Sequence, residues 1–94
     1  MRVQVWLVCF DISDDRRRRR VAKALQAFGL RVQRSVFEVS LRSSAQLHAL
    51  TAQLRDDLDD SDDLRFYRLC KQCQGRSINL QQGPIADFPL AIVL

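Results

Sequence analysis

No apolar run in this sequence approaches the ~18 residues that a membrane-spanning helix needs, and none is expected to cross a bilayer. Glycine and proline are scarce, at three and two residues in 94. That scarcity excludes collagen-like and low-complexity chains and leaves a globular composition, 47% hydrophobic and 28% charged. Histidine occurs once, at His48. Cysteine occurs three times, at Cys9, Cys70 and Cys73. An odd count without a secretory pattern argues against a disulfide framework. Cys70 and Cys73 have the spacing of half a zinc site, but a tetrahedral site needs about four ligands. Two copies of the chain can supply four thiolates; the stronger expectation is small apolar side chains at a strand end. The opening MRVQVWLVCFD carries one arginine and a short apolar run, with no small-residue cleavage pattern. A signal peptide is therefore not expected, and a cytoplasmic location is.

Lysine is also scarce: thirteen of the fifteen basic residues are arginine. Arginine favours planar, forked contacts to phosphate or carboxylate over plain solubilising charge. The charge is uneven. Residues 1–47 hold ten basic and four acidic residues, and residues 48–94 hold five and seven. A basic face and an acidic rim are expected, and the basic face suggests an anionic partner such as nucleic acid. An ordinary solvated helix accounts for the same pattern equally well on charge alone. The length fits one domain, 1–94, with a core of about 2–73 and a C-terminal segment of about 74–94. A domain this short often gains cover from a partner chain.

VQVWLVCF (3–10) reads as a strand that is apolar on both faces and hence covered on both sides. Ser13 is a plausible N-cap, with Asp14 and Asp15 in the first helical turn. The helix is expected to run to about Phe28, with Gly29 as its C-terminal stop. Its apolar stripe is Val21, Leu25 and Phe28. Projecting that stripe back by three and four residues puts Arg18 and Arg17 on its edge, aimed towards the end of the first strand. Arg16, Arg19, Arg20 and Lys23 point outward.

RVQRSVFEVSL (31–41) is extended, either one bent strand or a tight hairpin splitting near Ser35. Ser43 or Ser44 can cap a second helix, whose stripe is Leu47, Leu50, Leu54 and Leu58. DDLDDSDD (56–63) lacks the glycine turn and closing glutamate of a calcium loop and reads as a solvated, helix-ending segment. LRFYRLC (64–70) reads as a strand, residues 71–89 as irregular, and LAIVL (90–94) as a terminal strand paired onto something. The order is βαββαβ with an additional C-terminal strand, an α+β ferredoxin-like sandwich. Two helices cover one face of such a sheet, so an identical protomer is the simplest cover for the other.

FDISDD (10–15), the arginine-rich helix ending at Gly29, RVQRSVFE (31–38), and FYRLC with Cys73 together resemble the CRISPR-associated Cas-two family, the small universal subunit of the spacer-acquisition machinery. The match spans roughly residues 3–73. The resemblance implies a ferredoxin-like homodimer packed sheet to sheet, with the C-terminal strand extending the neighbour's sheet. It implies a role in CRISPR adaptation, in which the dimer bridges two integrase dimers and lies along duplex DNA. Several members of that family are also described as metal-dependent endonucleases acting on single-stranded RNA or double-stranded DNA.

Carried onto this sequence, the family aspartate is Asp11, with Mg2+ or Mn2+ shared across the dimer interface. Mg2+ takes oxygen ligands and keeps several waters, which suits one aspartate per protomer doubled by a two-fold axis. No second carboxylate, histidine or lysine is expected near Asp11 apart from Glu38 of the same motif, whose parity points it elsewhere. Without the resemblance, Asp11 reads as a turn or capping carboxylate, or as a partner of Arg17 or Arg18. Arg18, Ser35 and Phe37 are expected near Asp11, although Phe37 reads equally well as core. Phe10 stands where the family usually has a tyrosine, so no hydroxyl is available there. Arg16, Arg17, Arg19, Arg20, Arg31 and Arg34 are the expected phosphate contacts, gripping backbone without reading sequence. An adaptor, a Mg2+-dependent phosphodiesterase, and a non-catalytic dimer that binds a protein partner are the three resulting readings. The adaptor is favoured.

Overall fold

The computed structural model describes residues 3–80, 83 and 84. Strand β1 (Gln4–Asp11) leads to helix α1 (Asp15–Gln26), the hairpin β2 (Gly29–Gln33) and β3 (Val36–Leu41), helix α2 (Ser44–Asp57) and strand β4 (Asp63–Leu69). A short helix α3 (Lys71–Arg76) and a two-residue pairing of β5 (Ile78–Asn79) with β6 (Gly83–Pro84) follow. The four main strands form one antiparallel sheet in the order β2-β3-β1-β4, the ferredoxin-like α+β arrangement expected from the element order. LAIVL lies outside the described residues.

The alternation of β1 divides the sheet into two faces. Val8 and Phe10, with Trp6 beside them, pack with Phe37, Val39 and Leu41 of β3 and with Val21, Leu25, Leu50 and Leu54 of the helices. The other face carries Val5, Leu7, Cys9 and Asp11, with Val36, Glu38 and Ser40 of β3 beside them in register. Val5 and Glu38 on this second face are also buried. Leu7 and Cys9 are half-buried there, Asp11 is exposed, and so is Tyr67, which stands across from Leu7, so the second face is apolar but less covered than the helix face.

Local chemistry sets the boundaries. Asp14, not Ser13, caps α1: its Oδ2 accepts from the Arg17 backbone N–H at 3.0 Å, and Ser13 is exposed one residue too early. Ser43 caps α2, with Oγ accepting from the Gln46 N–H at 3.1 Å, while Gln46 Oε1 accepts from the Arg42 N–H at 2.6 Å. Helix α1 stops at Gln26, and Gly29 begins β2 rather than ending the helix. The glycine is needed for close approach: a Cβ there would collide with the Glu38 carbonyl oxygen and lie 2.7 Å from Val39 Cα. The extended segment is a hairpin with Arg34 and Ser35 as its turn, and a register irregularity falls between Arg31 and Gln33.

Candidate functional site

Asp11 closes β1, and three elements converge there. The Phe10 backbone N–H donates to the Ser35 carbonyl at 3.0 Å, which ties the β2–β3 turn to the end of β1. Arg18, on the first turns of α1, donates from Nη1 to the Ile12 carbonyl at 2.9 Å and pairs with Asp15. It therefore braces the chain where it leaves Asp11, as helical periodicity predicts. Asp11 itself is exposed.

The sequence reading expected no second carboxylate beside it. Strand pairing overturns that expectation, because Asp63 at the start of β4 stands directly across from Asp11. Like charges facing each other across an antiparallel pair destabilise the sheet. Asp63 is partly balanced by Arg65, whose Nε donates to it at 3.1 Å, and Arg65 also reaches the Tyr67 hydroxyl at 3.4 Å. Two exposed carboxylates on adjacent strands are oxygen donors suited to a hydrated Mg2+, which typically takes one or two protein carboxylates and keeps its waters. Among the described residues no group of three or more His, Cys, Asp or Glu side chains comes together. The pair therefore fits a water-rich Mg2+ site or a site completed by a second copy.

Phe37 is not part of this surface. Its register partner is Val8, a helix-face position, so its ring is fully buried in the core. It stacks on Phe10 with centroids 6.1 Å apart and an interplanar angle of 28°, and Arg31 lies over it at 5.2 Å. Glu38 is opposite Leu7, on the face that carries Asp11 but further along the strand. Burial pushes its carboxyl above the usual range.

The five consecutive arginines divide into two groups. Arg17 is held by carboxylates: Nε and Nη2 donate to the two oxygens of Asp62 at 2.8 and 3.2 Å, with Asp14 at 3.8 Å and Asp59 at 3.9 Å. The Asp62 side chain is 1% exposed. The forked hydrogen bond from Arg17, with a backbone N–H from Asp59, holds its carboxyl below the usual range. Arg17 is thus a structural clamp between α1 and the acidic loop, and its expected role as a free phosphate contact is withdrawn. The loop is correspondingly more than a solvated helix end.

Arg16, Arg19 and Arg20 are exposed and make no ion pair among the described residues. With Lys23 they follow the i, i+3, i+4, i+7 spacing of one helix face. Arg16, in the first turn, opposes the helix macrodipole, so helix stability does not account for its charge there, whereas Lys23 in the last turn is favourably placed. Arg31 and Arg34 are exposed on β2 and its turn, and Arg68 on β4 is exposed with its guanidinium 5.8 Å from the Trp6 ring. Arg68 and Asp63 were missed in the sequence. Only cross-strand register reveals Asp63, and nothing in the local pattern of LRFYRLC distinguishes Arg68 from Arg65.

The model of the CRISPR-associated protein Cas2 family matches residues 4–77. A CRISPR-associated endoribonuclease Cas2 of Chloroflexus aurantiacus is 41% identical over 81 residues, covering 84% of this chain and 86% of that protein. Crystalline Streptococcus pyogenes Cas2 at pH 6.5 superposes with a TM-score of 0.72 at 34% identity, over 80% of this chain and 96% of that one. A chain from a solved partial Cas6-RT-Cas1–Cas2 complex gives a TM-score of 0.79 at 33% identity, over 97% and 99% of the two chains. The matched span contains Asp11, the arginine row and the Arg34–Ser35 turn, and on these grounds the chain belongs to the CRISPR-associated protein Cas2 family.

Proposed function

We propose that this protein is a CRISPR-adaptation subunit: a homodimer, packed through the second face of its sheet, that joins integrase subunits and lies along duplex DNA. The observation that carries this reading is the exposed row Arg16, Arg19 and Arg20 on α1, without an ion pair among the described residues, beside two arginines that are neutralised or braced. A chain that must accept any spacer requires backbone contacts without base readout, and forked arginines supply them. The similarity to a chain from a Cas1–Cas2 complex over nearly its full length supports an integrase partner. Mixing the protein with a Cas1 integrase and a short duplex, then measuring mass by light scattering, tests the assembly. The expected species contains one dimer of this chain between two integrase dimers. Separate elution of the two proteins with duplex present contradicts it.

A second reading, metal-dependent phosphodiester cleavage, is favoured by the facing carboxylates Asp11 and Asp63 at an exposed strand end, and relatives carry the name endoribonuclease. Asp11 and Asp63 would hold the ion, which supplies charge neutralisation at a phosphate and a more acidic water. Arg18 would keep the β1–α1 turn in place beside them, and Ser35 would fix the adjoining hairpin turn. Labelled single-stranded RNA, single-stranded DNA and duplex DNA, each with Mg2+, Mn2+ or chelator, test this activity. Metal-dependent cutting lost in Asp11→Ala is the expected result for an enzyme. Equal cutting by both proteins points to a contaminating nuclease, and binding without cutting leaves the adaptor alone.

A further inference from the structure

The sequence suggests that Cys70 and Cys73 are small apolar residues at a strand end. The structure instead exposes both, at the corner where β4 turns into α3. The Cys70 sulfur caps the helix, accepting from the Cys73 backbone N–H at 3.3 Å, and the two sulfurs lie 3.2 Å apart. We propose that Cys70 and Cys73 form a redox-active dithiol that closes reversibly to an intrachain disulfide on reaction with a low-molecular-weight disulfide such as oxidised glutathione.

Three features of the corner support this. Residues i and i+3 at a helix start lie within the span a disulfide can bridge. The corner is already ordered in the thiol form: the Gln74 N–H donates to the Cys70 carbonyl at 3.0 Å, Gln74 Nε2 to the Leu69 carbonyl at 3.1 Å, and Ser77 Oγ to the Cys73 carbonyl at 2.7 Å. Closure therefore costs little further conformational entropy. The two thiols are also inequivalent. The Cys73 backbone N–H holds the Cys70 thiol below its usual range, while the hydrogen bond with Cys70 pushes Cys73 up.

This difference assigns the roles. The Cys70 thiolate attacks one sulfur of glutathione disulfide, releases one glutathione thiolate and leaves a mixed disulfide. Cys73 then gives up its proton and attacks the Cys70 sulfur, releasing the second glutathione. The protein loses two electrons and two protons, and the glutathione disulfide gains them. The product bridges the end of β4 to the first turn of α3.

Intact-mass and peptide-mass measurements after equilibration in glutathione buffers test the proposal. The expected product is the monomeric chain lighter by two hydrogens, with Cys70 linked to Cys73, Cys9 still reduced, and full reversal by dithiothreitol. Cys73→Ser should stop at a glutathione adduct on Cys70, whereas Cys70→Ser, which lacks the thiol that accepts from the Cys73 backbone N–H, should react with glutathione disulfide more slowly. Interchain disulfides, stable glutathione adducts on the wild-type chain, or equal reactivity of the two single variants would overturn it. The wild-type result decides between closure and its alternatives even if either variant fails to fold.

Discussion

Asp62 and Glu38 are both shielded from solvent, yet their environments move their protonation in opposite directions. Asp62 has Arg17 in a forked hydrogen bond, so its carboxyl titrates below the ordinary value. Its contribution to stability is complete above the unfolded pKa of about 3.9 and is lost as pH falls through the lowered folded value. Asp62→Asn should destabilise the fold at pH 7, with the difference from wild type shrinking below about pH 4; urea unfolding across that range measures it. Glu38 is raised by desolvation, without a paired cation among the described residues. The folded state then binds the proton more tightly than the unfolded state, so stability falls as pH rises above about 4.3. Glu38→Gln should therefore unfold at a higher temperature than wild type at pH 8 and show a smaller advantage at pH 4. Equal melting temperatures for the two proteins at pH 8 would contradict the desolvation argument. At this scale the sequence was only partly informative. Arg18 could be aimed from helical spacing alone, but the partner of Arg17 lies 45 residues away, and the face-to-face placement of Asp11 and Asp63 depends on a register that local pattern does not specify.

Helix α2 shows the most legible kind of element. Its leucine stripe and its serine start are both readable from spacing, and the structure buries Leu50 and Leu54 and gives Ser43 the cap. Leu50→Ala should cost about 2–5 kcal/mol and Ser43→Ala about 1 kcal/mol, both read as shifts in the urea midpoint at constant slope. Helix α3 was hidden because it has six residues and contains Gly75, a poor helix former. The end of α1 was misplaced for a related reason. Gly29 looks like a helix stop, but its function is to let β2 approach the Glu38 carbonyl. Gly29→Ala should loosen the β2–β3 pairing and speed amide exchange in residues 29–33 more than in β1, a difference that hydrogen exchange reads directly.

For the whole molecule, the βαββαβ order, the need to cover both faces of β1 and the basic first half were readable from pattern and charge, because they depend on residue type over long stretches. The division of the arginine run was not, since it depends on which cations the distant acidic loop neutralises. That division is central to the account: Arg17 clamps α1 to the acidic loop, while Arg16, Arg19 and Arg20 are exposed, make no ion pair among the described residues, and are the proposed phosphate contacts. The direct measurement is the salt dependence of duplex DNA binding by wild type, by Arg17→Gln and by a variant with Arg16, Arg19 and Arg20 all changed to Gln. Each phosphate contact contributes about 0.9 to the slope of log K against log salt, so the triple variant should lose roughly 3 from that slope. Arg17→Gln should keep the wild-type slope while unfolding more easily. A triple variant that retains the wild-type slope and affinity would contradict the assignment of this helix face to the DNA backbone.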